Sequence, residues 1–445
     1  MAAGAVAGAG AAVADDAVQH QGGALATLDG LQTYDQAVLH TNGKDQEILA
    51  GLFEMTVDGG GQLQTYCIDI HNPTQDQAKY VETSWDQTSL NKNQDAGKIR
   101  WILQNSYPQV NDLAALAESA DLDGPLTDKT AAAGTQVAIW RFSDKADVTA
   151  SDPAAEQLAD WLEKSAKDLG EPKASLSLEP NAVSGKPGSR LGPVTVRTDA
   201  GQVTVTPPAD AAASGVKVTD KAGKPVASAA DGTELYFDVP EDAADGTAEL
   251  SVQATMSVPV GRAFASATKS QTQILAGSSE STVSAKATAT WAKAGAIPSL
   301  SAKKNCAKGG VDITAGNKGD EPFTFSLAGY EHTIEAGESR TVTVPVAEDQ
   351  AYDFTITGPG GFKKNFKGVL DCKTASAPAQ PGTETPSSQP SPASAGGTSA
   401  GLEGDLAETG GSSATPMIAG IAIALVLAGG GAVFFLRKKK ATAGE

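Results

Sequence analysis

The chain is poor in the residues that most catalytic and metal sites are built from. Its 445 residues include three cysteines and four histidines, and aromatic side chains make up 5%. No CxxC pair occurs, and His20, His40, His71 and His332 are scattered, so neither a metal centre nor a cofactor is expected. Basic residues are scarce as well. There are 34 Lys and Arg against 53 Asp and Glu, a formal charge of −19, and no basic patch is interleaved with aromatics. A nucleic-acid partner is therefore not expected. What the chain does have is Gly (48), Pro (23) and abundant Ala, Ser and Thr, a composition of short strands, turns and linkers. With 40% hydrophobic residues and this length, it has material for two or three separately cored domains.

Charge is absent from one long stretch near the C-terminus. Residues 417–436, MIAGIAIALVLAGGGAVFFL, carry none, and RKKK follows at 437–440. Twenty apolar residues suffice for one transmembrane helix, and the basic cluster places its C-terminal side, 437–445, in the cytoplasm. At the other end no Lys or Arg precedes Lys44. The Ala/Gly-rich start, with a small-x-small site at Ala12-Val13-Ala14, reads as a signal peptide over 1–14 whose basic part is missing. Both ends point to export, with most of the chain extracellular.

Ahead of the apolar span stands LAETGG. Leu406, Ala407, Glu408, Thr409 and Gly410, then the span, then the basic tail, resemble the cell-wall sorting signal of Gram-positive surface proteins. The LAxTG form is similar to that read by class E sortases of high-GC actinobacteria. The resemblance implies sortase attack at the Thr409 carbonyl and transfer of Thr409 to a peptidoglycan amine. The membrane helix is then transient and the mature protein wall-anchored. Residues 373–405 are dominated by Pro, Ser, Thr, Gly and Ala without apolar periodicity. Such a linker cannot offset its ordering entropy, and stretched out it reaches on the order of 100 Å.

Between Ala174 and Cys372 the pattern is of strands and turns. PVTVRTDAGQVTVTPP, TELYFDVPED and GTAELSVQATMSV fit an immunoglobulin-like β-sandwich spacer over 175–292. A second, smaller sandwich is expected over 297–372, with six strands from GVDITAG to FKGVLDC. Cys306 lies before its first strand and Cys372 at the end of its last. Outside the cell the two are expected to pair, a staple worth roughly 4 kcal/mol in the chain-entropy description.

Pairing Cys306 with Cys372 leaves Cys67 over. EILAGLFEMTV, DGGG and QLQTYCIDI (47–70) read as a β-hairpin. Strand alternation puts Tyr66, Ile68 and Ile70 on one face, and Leu63, Thr65, Cys67 and Asp69 on the other. Helices are expected over 95–107 with Asp95 as a cap, over 130–142 with Gln136 and Trp140 as i, i+4 neighbours, and over 151–170 with a Leu158/Trp161/Leu162/Leu169 stripe and a terminal Gly. The region 24–173 is thus mixed α and β.

TYCID followed by TQVAIW is similar to the Gram-positive thioester domain, the Cys–Gln class also called TQxA. The resemblance spans about a third of the chain. It implies a β-sandwich or barrel with a helical lobe, and an internal thioester between Cys67 and Gln136 formed with loss of ammonia. A docked amine, such as a lysine on a partner surface, then attacks the Gln136 acyl carbon. Tyr66 and Trp140, with Trp85 and Trp101 as further choices, are the expected shields against water. Asp69 and His71 are near enough in sequence to assist proton transfer. The expected protein is a covalent adhesin that turns over once, not an enzyme. Two alternatives stand beside it: a structural wall protein without covalent capture, and a cysteine hydrolase or transamidase built on Cys67 and a histidine.

Overall fold

The computed structural model describes residues 21–373. The expected signal peptide, most of the linker, the sorting motif Leu406–Gly410, the apolar span 417–436 and the basic tail lie outside the described residues. Among those described, no helix is long and apolar enough to cross a membrane.

The first strand, β1 (Leu25–Thr41), turns at Asn42-Gly43 into β2 (Lys44–Val57). Both turn residues have left-handed φ, 53° and 72°, the conformation that Asn-Gly adopts most easily in a two-residue hairpin. β3 (Gln62–Cys67) follows and pairs with β2 from Phe53↔Thr65 to Thr56↔Gln62, the hairpin expected over 47–70. On its other edge β1 pairs with β4 (Lys79–Thr83) near one end and with β5 (Val148–Ala150) near the other.

The strands between β3 and β4 come from far downstream. Gln273–Ser278 pairs with β3, Ala263–Ser266 pairs with β4, and the two pair with each other. Because β1 also pairs with β2, these strands close into a ring. Part of the stretch read as a spacer over 175–292 therefore belongs to the first sheet. A buried ion pair fixes the junction: Arg262 Nε donates to Glu82 Oε1 at 2.8 Å, with side chains 5% and 1% exposed. The Glu82 carboxylate also accepts from the Ala24 and Ser175 backbone N–H groups, at 3.1 and 2.9 Å.

The helical lobe comprises α1 (Ala96–Gln104), α2 (Leu113–Ser119), α3 (Asp128–Ser143) and α4 (Pro153–Ser165). α3 is buried along nearly its whole length. Thr127 and Thr130 form its capping box, and its small residues let neighbours approach closely. A Cβ on Gly134 would lie 2.4 Å from the Ala155 carbonyl oxygen of α4. α4 starts as expected, with Asp152 capping and Pro153 in the first turn, but it stops at Ser165. Leu169 and Gly170 lie beyond the helix because Ala166 turns to extended backbone (φ −58°, ψ 136°). Asp95 occupies the N-cap of α1 without capping it; its carboxylate pairs instead with Lys98 at 2.8 Å and with Lys145.

The next region is a two-sheet sandwich. One sheet has four strands and includes Arg190–Thr198, the other has five and includes Val203–Thr206. The Asp-Ala-Gly turn at 199–201 therefore carries the chain from one sheet to the other and does not close a hairpin. Two long strands, Gly246–Ser257 and Glu280–Trp291, pair over their full length. The segment that completes the first ring springs from their open ends. One hydrophobic core runs continuously from the ring into this sandwich.

Residues 298–369 form seven strands with a separate core around Phe323, Phe325 and Ile356. One strand more is present than expected, because Pro298–Asn305 precedes Cys306. Cys306 thus sits in the turn after the first strand, not before it. Cys306 and Cys372 are disulfide-bonded, with Cα atoms 5.1 Å apart.

Candidate functional site

Cys67 is the last residue of β3 and has no solvent exposure. Ile68 donates its backbone N–H to Thr272 O at 3.1 Å on the downstream-strand side. By alternation, the N–H and C=O of Cys67 face the opposite edge. β2 has left that edge, since its pairing with β3 ends at Thr65. The Gln136 side chain of α3 takes the place of the missing strand. Cys67 N–H donates to Gln136 Oε1 at 2.9 Å, and Gln136 Nε2 donates to Cys67 O at 2.8 Å. A fully buried carboxamide is thereby held by both polar edges against the residue that carries the thiol. This is the fixed approach that acyl chemistry on a sluggish amide requires.

The thiol face of the strand is built from distant residues. Gln273 is the cross-strand partner of Cys67, so the two side chains share a face. Gln273 Oε1 accepts from Thr65 Oγ1 at 3.1 Å on that same face. Trp140, one turn after Gln136 on α3, is 1% exposed. Tyr80 of β4 is buried too, its hydroxyl 2.7 Å from Ser270 Oγ and donating to Gln271 O at 2.8 Å. Burial pushes the Cys67 thiol well up, and the Asp144 and Asp69 carboxyls raise it further. The thiol is therefore protonated at neutral pH, and any reaction through sulfur has to move that proton.

Groups able to do so surround it. The Asp69 backbone N–H donates to Cys67 Sγ at 3.2 Å. The Asp69 carboxyl is 1% exposed, accepts from Asn72 Nδ2 at 2.5 Å, and is pushed well up by burial and by the neighbouring Asp371 and Asp144. Asp144, just past the end of α3, accepts from the Ile70 backbone N–H at 3.0 Å and from Ser143 Oγ at 2.6 Å. Burial raises it to about 7. Asp371 arrives from beside the disulfide and accepts from Thr272 Oγ1 at 2.6 Å. Burial raises it to about 6. Carboxyls that change protonation near neutral pH suit proton relay.

The sequence-derived residues distribute unevenly. Cys67, Gln136, Trp140 and Asp69 meet. Tyr66 is buried behind them on the other face, its hydroxyl donating to Tyr107 O at 2.8 Å. His71 is half-buried and burial alone lowers it. Trp85 gives its indole N–H to Gly261 O, and Trp101 packs against Trp161. Cys306 and Cys372 form the separate staple. Sequence reasoning missed Asp144, Gln273 and Asp371. Nothing local marks the last two, whereas Asp144 could have been noticed as the acidic residue closing the helix that bears Gln136.

A ring of strands with a helix-borne glutamine clamped onto a strand-end cysteine defines a class of site suited to an intramolecular acyl link. Residues 64–168 match the family described as thioester domain, which supports that reading for this part of the chain. Residues 294–369 match the family described as bacterial phospholipase C, C-terminal domain. Two solved structures are similar at low level. The Bacillus anthracis TIE protein aligns at 15% identity and a TM-score of 0.29, covering 79% of this chain and 81% of that one. The thioester domain of the Enterococcus faecium TIE86 protein aligns at 15% identity and 0.28, covering 61% and 97%. These superpositions are too loose to carry an argument. No sequence among curated proteins matches the chain.

Proposed function

We propose that the chain is a cell-wall-anchored surface adhesin that captures an amine-bearing target through an internal thioester between Cys67 and Gln136. The observation that carries the reading is the two-point clamp of the buried Gln136 carboxamide on the Cys67 backbone. Cys67 Sγ attacks Gln136 Cδ, the Cδ–N bond breaks, and the thiol proton leaves with the nitrogen as ammonia. Asp69 and Asp144 are the groups placed to pass that proton. A primary amine then attacks the same carbon, giving an amide and restoring the Cys67 thiol. Each molecule reacts once, so the protein is a covalent binder and not an enzyme. No histidine shares a hydrogen bond with Cys67 among the described residues, which disfavours the hydrolase alternative.

Surface attachment rests on the sequence Leu406–Gly410, the apolar span and the basic tail. These support a class E-type sortase and peptidoglycan as partners, with the membrane span serving only until sorting. The decisive experiment is intact mass of the exported protein. The expected result is a deficit of one ammonia, absent in Cys67→Ala and Gln136→Ala, and a methylamine adduct on the Gln136 peptide. Full mass and no adduct would leave the structural wall protein as the reading.

A further inference from the structure

Two buried N–H donors beside the Cys67 thiol lack an oxygen or nitrogen acceptor among the described residues. They are Gln273 Nε2 and Trp140 Nε1, on side chains 0% and 1% exposed, and the Trp140 indole has only the thiol sulfur near it. Buried N–H groups are nearly always bonded, because an unmade bond costs on the order of 1–3 kcal/mol. Two such donors at one thiol, on residues 133 positions apart in sequence (140 and 273), call for a common oxygen acceptor. Neither is an accident of a loose side chain: Gln273 is held through its oxygen by Thr65, and Trp140 lies on the buried helix α3.

We infer that Gln273 Nε2 and Trp140 Nε1 are the donors that receive the Gln136 acyl oxygen when it becomes an oxyanion. The inference rests on the thioester reading and adds to it the groups that lower the barrier. Before reaction the Gln136 oxygen accepts from Cys67 N–H at the strand edge. Forming the Sγ–Cδ bond draws the acyl carbon towards the face that carries the thiol. Gln273 shares that face by cross-strand register, and the Trp140 indole already acts on the thiol from α3. The negative charge that builds on oxygen as sulfur, or later an amine, adds to Cδ then meets preorganised N–H groups in a dry pocket. Gln273 lies outside residues 64–168; the strand inserted from the spacer region thus contributes chemistry as well as sheet.

The test uses the full chain and follows two rates by intact mass: ammonia loss after refolding, and methylamine uptake by the matured protein. Gln273→Leu removes one donor. Trp140→Phe removes the other while keeping an aromatic cover over the thiol. Each is expected to slow both rates by about a hundredfold, the usual effect of one lost oxyanion donor. Gln273→Glu adds a readout that packing alone would not move. Its introduced carboxyl donates only when protonated, so its rates should recover as pH falls, a dependence absent from Gln273→Leu. Wild-type ammonia loss with unchanged rates in Gln273→Leu and Trp140→Phe would overturn the inference and spare the thioester. A wild type that loses no ammonia would sink both. Circular dichroism of each variant identifies any that fails to fold, and Gln273→Glu, the most conservative in shape, then decides.

Discussion

Cys67 and the Cys306–Cys372 pair each unite distant parts of the chain, 69 residues apart in one case and 66 in the other. They do so by opposite means. Around the staple the apolar packing is thin: Leu370 and the partly buried Val346 pack on the two cysteines, and the main core of that region is a separate cluster. The disulfide itself ties the turn after the first strand to the segment after the last. At Cys67 the surroundings do the holding. A closed ring, a fully buried helix and two side-chain hydrogen bonds set Gln136 in place without any covalent link. The difference teaches where a reactive bond can be kept. A link that maintains the fold cannot be broken in use, whereas one that the fold maintains can be given up to a partner.

The comparison breaks most sharply through the reactive pair. Cys67→Ala or Gln136→Ala should abolish amine uptake completely while a non-reducing peptide map still recovers the Cys306–Cys372 peptide. The reverse change, Cys306→Ser with Cys372→Ser, should cost about 4 kcal/mol of stability in the stapled region, read by denaturant unfolding, yet leave ammonia loss intact. Loss of both properties in that variant would mean that the two sites are not independent, a real contest because Asp371, beside Cys372, reaches the thiol's neighbourhood. Glu82→Gln tests whether the surroundings hold Cys67. Its amide nitrogen cannot accept from the Arg262, Ala24 and Ser175 donors gathered there, while Glu171 still pairs with Arg262 at 2.7 Å, so a loss of about 2 kcal/mol should come with slower amine uptake. The smallest effect concerns pH. Asp144 is raised to about 7, so the folded state keeps a proton that the unfolded chain has released. Its stabilising contribution is complete below the ordinary carboxylate range and is lost as pH rises through about 7. The unfolding free energy should therefore fall between about pH 4 and pH 7, and Asp144→Asn should flatten part of that fall, the rest belonging to the raised Asp69 and Asp371 carboxyls.

What the sequence made legible was local. The β2–β3 hairpin, the helix bearing Gln136 and the Asp152-Pro153 start of α4 all follow from spacing and turn chemistry. The Asn42-Gly43 turn that joins β1 to β2 is equally local in its chemistry. The closure of the ring was not legible, because Gln273–Ser278 meets β3 across some two hundred residues and its strand pattern names no partner. The same holds inside the site. Cys67 and Gln136 were found through short motifs. Gln273 is one amide among many until the register with Cys67 is known, and Asp371 reads as a surface acid beside a cysteine until Thr272 receives it.

The inserted segment has a mechanical meaning. The backbone passes between ring and spacer three times: after Ser165, after Ser257, and again before Glu280. The two later passages continue strands paired from Gly246↔Trp291 to Ser257↔Glu280. A pull applied at Gln136 and resisted towards the C-terminal end therefore meets no lone tether between these two bodies. It loads three parallel tethers, two of them anchored along twelve residues of antiparallel ladder, so ring and sandwich part only when that ladder or the ring gives way.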